Sequence, residues 1–273
     1  MASDPVLSVR FCVAYTMAAT LRYARQEVMK AFSNLIDAED ILLASELTRR
    51  LILGIGNVDT DAVNPVIKRM LASEDPEVRQ SGGSIAAFAA LEWGQPDLMS
   101  KSLAGDFHVR KGVAQMIVQL IDHTSDSDLA ITTLIQLFDD DADEVRQEAA
   151  SVVLRLRGQP LKPFAQLVAT LIASACFKHV ATQLLLTLQR VPDKVDELIL
   201  LTAQRFIDVF GDEATDIRSG AAADAHVISE LVVRKLGQCH DRDRRAALLD
   251  VLDSLLELGV YGIDNAIVES ERS

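Results

Sequence analysis

The sequence has little of what β-structure, export and membranes require. Aromatic residues make up 5% of the chain, with 7 prolines and 13 glycines, too few for the aromatic strands and frequent turns of a sandwich or barrel. No uninterrupted run of about 18 apolar residues occurs, so no membrane span is expected. The 3 cysteines, Cys12, Cys176 and Cys239, lie far apart and form no disulfide framework, which fits a reducing cytoplasm. The apolar stretch 11–21 resembles a signal-peptide core, but Asp4 precedes it, Arg10 abuts it, and Arg22 and Arg25 follow it. Those flanks suit a helical core segment better than a leader. Cations are short as well. Against 40 Asp and Glu stand 27 Lys and Arg, a formal net charge of −13, which argues against sequence-independent binding of nucleic acid or anionic lipid. Apolar material is plentiful: 49% of residues are hydrophobic and the mean hydropathy is +0.17, enough for a core and incompatible with disorder.

The chain repeats itself. A turn containing Asp is followed by Val or Ile, then Arg, then a small residue four positions after the Arg. The copies are Asp4-Pro5-Val6-Leu7-Ser8-Val9-Arg10 with Ala14, Asp75-Pro76-Glu77-Val78-Arg79 with Gly83, Asp106-Phe107-His108-Val109-Arg110 with Ala114, Asp143-Glu144-Val145-Arg146 with Ala150, and Asp216-Ile217-Arg218 with Ala222. The first and last gaps between these arginines are close to twice the middle two, which predicts a degenerate copy in each. Segments 39–53 (EDILLASELTRRLIL) and 175–188 (ACFKHVATQLLLTL) supply the material, and a weaker copy follows at Asp241-Arg242-Asp243-Arg244-Arg245.

Each unit reads as two helices. Val109, Val113, Ile117 and Leu120 fall at helical spacing after their turn, as do Val145, Ala149, Val153 and Leu156. Shorter apolar segments such as 63–71 and 129–138 precede the turns. Asp75 and Asp106 are placed to cap the following helices, and Pro76 suits a first helical turn. The small residues let neighbouring helices approach closely. Such a helix pair must stack on its neighbours to bury its apolar face.

The Asp-Pro-Glu-Val-Arg and Asp-Ala-Asp-Glu-Val-Arg units resemble HEAT repeats of the bacterial type. The likeness runs over nearly the whole chain and is strongest over 62–158. It implies an all-α fold, an α-solenoid of about seven antiparallel helix pairs over 1–273. A half repeat would occupy 1–25, degenerate repeats about 31–60 and 160–190, and a C-terminal cap about 240–273. In the family, Asp and Arg form a ladder between successive repeats, and the second helices line a concave face. Residue by residue, the ladder falls to Asp75, Arg79, Asp106, Arg110, Asp143, Arg146, Asp216 and Arg218. The copies at Arg10 and Arg146 depart from the pattern in their Asp-to-Arg spacing. The stretch from Arg245 through Asp250, Asp253 and Glu257 to Tyr261 and Gly262 resembles the closing segment of HEAT tails on large bacterial ATPases and defence-type proteins.

Motifs with chemistry are few. The run Asp139-Asp140-Asp141-Ala142-Asp143-Glu144 alternates carboxylates like a calcium loop, but Glu144 stands where the loop needs Gly and Ala150 where it needs Glu. It reads as a solvated turn and helix cap. Gly54-Ile55-Gly56-Asn57 lacks the Gly-Lys-Ser/Thr of a phosphate loop and reads as a helix end. His108, His123, His179, His226 and His240 fall in different repeats without metal-ligand spacing, and Cys239-His240-Asp241 is a surface turn. Basic spots lie at Arg22 with Arg25, Arg49 with Arg50, Lys68 with Arg69, and Arg242, Arg244 and Arg245. Trp93, the single tryptophan, reads as a core or groove residue.

The expected function is non-catalytic and free of metal or cofactor: a scaffold or regulatory module that binds a protein through its concave face. The partner implied by the resemblance is a bacterial NTPase, or the missing amino-terminal part of a longer solenoid. Two alternatives use the same scaffold. One is a nucleic-acid binder like the HEAT-like DNA glycosylases, disfavoured by the acid excess. The other is a bilin-lyase-like chaperone, for which no residue singles out a tetrapyrrole.

Overall fold

The computed structural model describes residues 1–2, 4–36 and 40–260. Every regular element among them is helical. In order they are α1 (Leu7–Thr20), α2 (Arg25–Ile36), α3 (Ile41–Ala44), α4 (Glu46–Gly56), α5 (Thr60–Leu71), α6 (Pro76–Glu92), α7 (Pro96–Leu103), α8 (Phe107–Leu120), α9 (Ser127–Leu137), α10 (Asp143–Ala150) and α11 (Val152–Arg155). A 3₁₀ turn (Lys162–Phe164) leads into α12 (Ala165–Ala173), α13 (Phe177–Leu188), α14 (Asp196–Ala214), α15 (Gly220–Gln238) and α16 (Arg242–Glu257). Residues 37–39 of the degenerate segment, and the closing segment beyond 260 with Tyr261 and Gly262, lie outside the described residues.

Local chemistry sets the helix starts. The Asp75 carboxylate accepts from the amides of Glu77 and Val78 at 2.8 and 3.4 Å, and Pro76 occupies the first helical position, where no amide hydrogen is needed. Asp106 caps α8 through the Val109 amide at 3.1 Å, and Asp59, Asp126 and Asp241 cap α5, α9 and α16 in the same way. Gly94, at φ 66°, follows Trp93 and ends α6 in the left-handed conformation. The turn at Asp216 differs from the others. Ser219 caps α15, its hydroxyl accepting from the Ala222 amide at 3.0 Å, so Asp216 and Arg218 precede the helix and are exposed.

The chain divides into two compact units, Met1–Ala149 and Ala150–Ser273. In the first, α6 packs against α3, α4, α5, α7 and α8, and its middle and end from Gly82 to Leu91 are buried apart from a half-buried Phe88. Glycine allows this enclosure. A Cβ at Gly83 would lie 2.2 Å from the Val109 carbonyl oxygen, and one at Gly112 would lie 1.9 Å from the Gln80 carbonyl oxygen. The backbones of α6 and α8 therefore meet directly. Ile85, Leu91, Val113 and Ile117 are buried around that seam, each worth about 1.5–3 kcal/mol relative to exposure. In the second unit α14 packs against α12, α13, α15 and α16, and α13 also meets α11, α12 and α15. Phe177 and Phe206 are buried there, with the Phe210 ring 6.2 and 5.2 Å from theirs.

Within each unit a set of long-range polar contacts spans similar lengths of chain. Ser73 donates to Asp40 across 33 residues, Gln80 to Gln115 across 35, Trp93 to Asn57 across 36, Thr124 to Glu92 across 32 and Gln115 to Glu148 across 33. In the second unit Thr187 donates to the Val153 carbonyl across 34 residues and the Leu161 amide to Asp193 across 32. Wider contacts, from Thr182 to Asp224 and from Arg244 to Glu197, span 42 and 47.

Candidate interaction site

The signature arginines face two ways. The Arg79 guanidinium donates backwards to the carbonyls of Ser73 and Glu74 at 2.7 and 2.9 Å, and its Nε lies 2.6 Å from the Asp106 carboxylate on the next turn. Arg110 donates to the Gly105 carbonyl at 2.7 Å and reaches forward to Asp140 with two hydrogen bonds of 2.6 and 3.0 Å, and to Asp141. Arg146 donates to the carbonyls of Asp140 and Asp141 at 2.5 and 3.2 Å. Asp143 is not the forward partner of Arg110. It begins α10, where its carboxylate accepts from Arg146 at 2.9 Å and Gln147 at 2.6 Å. The Asp216 carboxylate accepts from the Arg218 amide at 3.0 Å and its carbonyl from the Ser219 amide at 2.8 Å, and Arg218 forms no ion pair among the described residues.

Asp140 is thus no solvated turn residue. Its side chain is 6% exposed, with the Ala142 amide 2.9 Å away and Arg110 holding both oxygens. Burial opposes ionisation of this carboxyl, but Arg110 and the Ala142 amide outweigh it and hold the group below the usual carboxylate range. At Asp106 the same contest between burial and the Val109 amide with Arg79 ends the same way. The Asp140 hydrogen bond, with its charge, raises the guanidinium of Arg110 in turn. A further link was not foreseen from the sequence. Asp40 accepts from Arg69 at 2.6 Å and from Ser73 at 2.5 Å, and the Ser73 hydroxyl is the main cause of its lowered carboxyl. The chain signal for these positions is the offset. Asp4, Ser73 and Asp140 stand six residues before Arg10, Arg79 and Arg146, and each offers its carbonyl to that arginine.

Other sequence candidates have structural places. Trp93 donates from Nε1 to Asn57 at 2.8 Å, and its six-membered ring lies over Gly56, where a Cβ would come within 2.0 Å of Cη2. His123 contacts Asp122 at 2.8 Å, His226 lies 3.5 Å from Glu230, and the Cys239 thiol donates to the Asp241 carbonyl at 3.5 Å. Among the described residues no group of three or more His, Cys, Asp or Glu is placed to hold a metal ion. No helix among them is long and apolar enough to cross a membrane.

An open groove lies in the second unit. A groove of about 500 Å³ runs along α12 and α14 to Arg244 of α16. Ala165 and Ala169 keep its floor low, Leu198 and Leu201 form an apolar wall, and Leu201 is 42% exposed. Lys162 and Lys194 stand at its edge. Neither forms an ion pair among the described residues, whereas Arg244 lies 3.0 Å from Glu197 and Lys235 lies 2.9 Å from Asp196. Asp193 anchors the Lys162 end by accepting from the amides of Leu161 and Lys162 at 3.0 and 2.8 Å. Burial works against its charge, yet those amides keep its carboxyl below the ordinary value.

The chain matches no protein-family model, and no curated protein is significantly similar to it in sequence.

Proposed function

We infer that the protein is a non-catalytic helical-repeat scaffold of the HEAT kind that binds a protein partner. The observation that carries this reading is that a set of polar contacts recurs at a similar chain separation, from 32 residues between Thr124 and Glu92 to 36 between Trp93 and Asn57, beside wider ones of 42 and 47 in the second unit. Contacts that join each helix pair only to the next are the signature of a repeat array, whose use is extended surface. The curved solenoid implied by the sequence resemblance is part of the same proposal, as is a cytoplasmic place.

The groove along α12 and α14 is the proposed docking site. Leu198 and Leu201 would seat the apolar face of a peptide or helix, and Lys162 and Lys194 would select carboxylates beside it. Burying an anchor there supplies affinity, and the rim charges supply selectivity. Nucleic acid fits less well. Arg69, Arg79, Arg110 and Arg146 are spent on Asp40, Asp106, Asp140 and Asp143. Those four are not available to phosphates, and the remaining cations sit on a chain of net charge −13. The family likeness suggests a bacterial NTPase as the partner.

The test is capture from the native host with the intact chain and with Leu201→Glu. A protein retained by the wild type and lost by a variant of unchanged melting supports the reading. Retention of nothing overturns the scaffold role, and equal retention by Leu201→Glu overturns the groove as the site.

A further inference from the structure

Two helix faces far apart in sequence are left open, and their chemistry is opposite. On α1 the exposed positions Cys12, Tyr15, Thr16 and Ala19 form one stripe, with Tyr15 61% exposed. The stripe runs into a cavity of about 710 Å³ whose walls include Ala18, Ala19, Leu21, Gly54 and Val58. Small side chains keep that cavity open, since a Cβ at Gly54 would touch Leu21 at 3.0 Å. Arg22 and Arg25 stand at its mouth. Arg22 lies 4.5 Å over the ring of Tyr23, and Arg25 donates to the Val58 carbonyl at 3.4 Å. Neither has a carboxylate partner among the described residues.

The complementary face is on α16. Leu249 and Leu256, 40% and 42% exposed, stand two helical turns apart and flank exposed Asp250, Asp253 and Glu257. None of these carboxylates forms an ion pair among the described residues. We propose that the α16 face of one copy of this chain docks on the α1 face of a second copy, head to tail, with a leucine of α16 in the cavity and Asp253 and Glu257 against Arg22 and Arg25. With the helices parallel, Arg242 at the start of α16 falls at the Asp4 end of α1, so both ends of the contact pair opposite charges. The proposed contact shares no residue with the α12–α14 groove and does not depend on a partner there.

The experiment is sedimentation velocity of the intact chain over a range of concentrations, with two charge-reversed variants. Arg22→Glu with Arg25→Glu makes both faces acidic, and Asp253→Arg with Glu257→Arg makes both basic. The wild type is expected to exceed monomer mass as concentration rises. Each variant alone should associate at least about tenfold more weakly, and the equimolar mixture should recover association because each face again meets its opposite. Ala19→Trp, which fills the cavity without changing charge, should weaken association too. A monomeric wild type overturns the proposal and leaves the α1 face to an acidic segment of another protein. Association that survives in either charge variant, or a mixture that fails to recover it, also overturns it.

Discussion

Arg110 and Asp140 form a largely enclosed ion pair in the first unit, joined by two hydrogen bonds of 2.6 and 3.0 Å, with side-chain exposures of 17% and 6%. The pair ties the start of α8 to the turn before α10. Its value lies in what its loss would strand, because a carboxylate buried without its guanidinium keeps the desolvation cost and loses the compensation.

Arg110→Ala is therefore expected to lower unfolding stability by about 2–4 kcal/mol. Arg218→Ala, at an exposed side chain with no ion pair among the described residues, should stay within about 0.5 kcal/mol of wild type. Chemical denaturation of both variants checks the contrast, and equal losses would refute the assignment of Arg110 to a structural staple.

Acid should attack the same contacts. The carboxyls of Asp40, Asp106 and Asp140 all titrate below their ordinary value in the folded protein. A depressed folded value means that their stabilisation is complete above the unfolded value, near about pH 4, and is lost as pH falls through the folded values. Thermal melts should decline steeply below about pH 4. Arg110→Ala should flatten that acid limb, because it removes the guanidinium that holds Asp140 down and leaves only the Ala142 amide of the two partners named above.

Asp224 has the opposite sign. Burial raises its carboxyl, and the hydrogen bond from Thr182 at 2.6 Å does not fully offset that. A raised folded value means that ionisation disfavours folding above that value, and the penalty disappears as pH falls below the unfolded one. Asp224→Asn keeps an acceptor for Thr182 and removes the charge. It should melt at or above the wild-type temperature at pH 7, with the difference vanishing in acid.

The α6–α8 seam sets two effects against each other. Alanine at Gly112 gains about 1 kcal/mol of helix propensity, but its Cβ would sit 1.9 Å from a backbone carbonyl that no side-chain rotation can move. Overpacking of this kind costs about 1–3 kcal/mol or more, so the clash wins. Gly112→Ala should lower the melting temperature, whereas alanine at Gly237, which meets nothing within 4 Å, should not.

Trp93 provides an optical test, being the single tryptophan of the chain. Gly56→Ala would push a methyl group into its ring, at 2.0 Å from Cη2, and strain the bond to Asn57. The native fluorescence should shift to longer wavelength. An unchanged spectrum would mean that the ring does not rest on Gly56.

The sequence exposed those parts of the fold that depend on neighbours along the chain. Asp75 and Asp106 could be read as caps because a capping oxygen serves amides two or three residues away. The small residue at Gly83 could be read as a contact point for the same reason of fixed offset. The partner of Arg110 could not be so read. Three carboxylates crowd the turn at 139–141, and only the direction of α8 decides that Asp140 is taken inward while Asp143 stays with Arg146. At Asp216 a matching pattern misled, because Ser219 competes for the same helix start and wins it. The open groove along α14 was invisible, since Leu201 differs from the buried leucines around it only in what the fold places beside it.

The similar spans of the polar contacts bear on how the chain reaches its native state. Loop closure costs entropy only logarithmically in length, so closing 32 residues between Thr124 and Glu92 or 36 between Trp93 and Asn57 demands almost the same. No closure of this set requires distant parts of the polypeptide to find each other first.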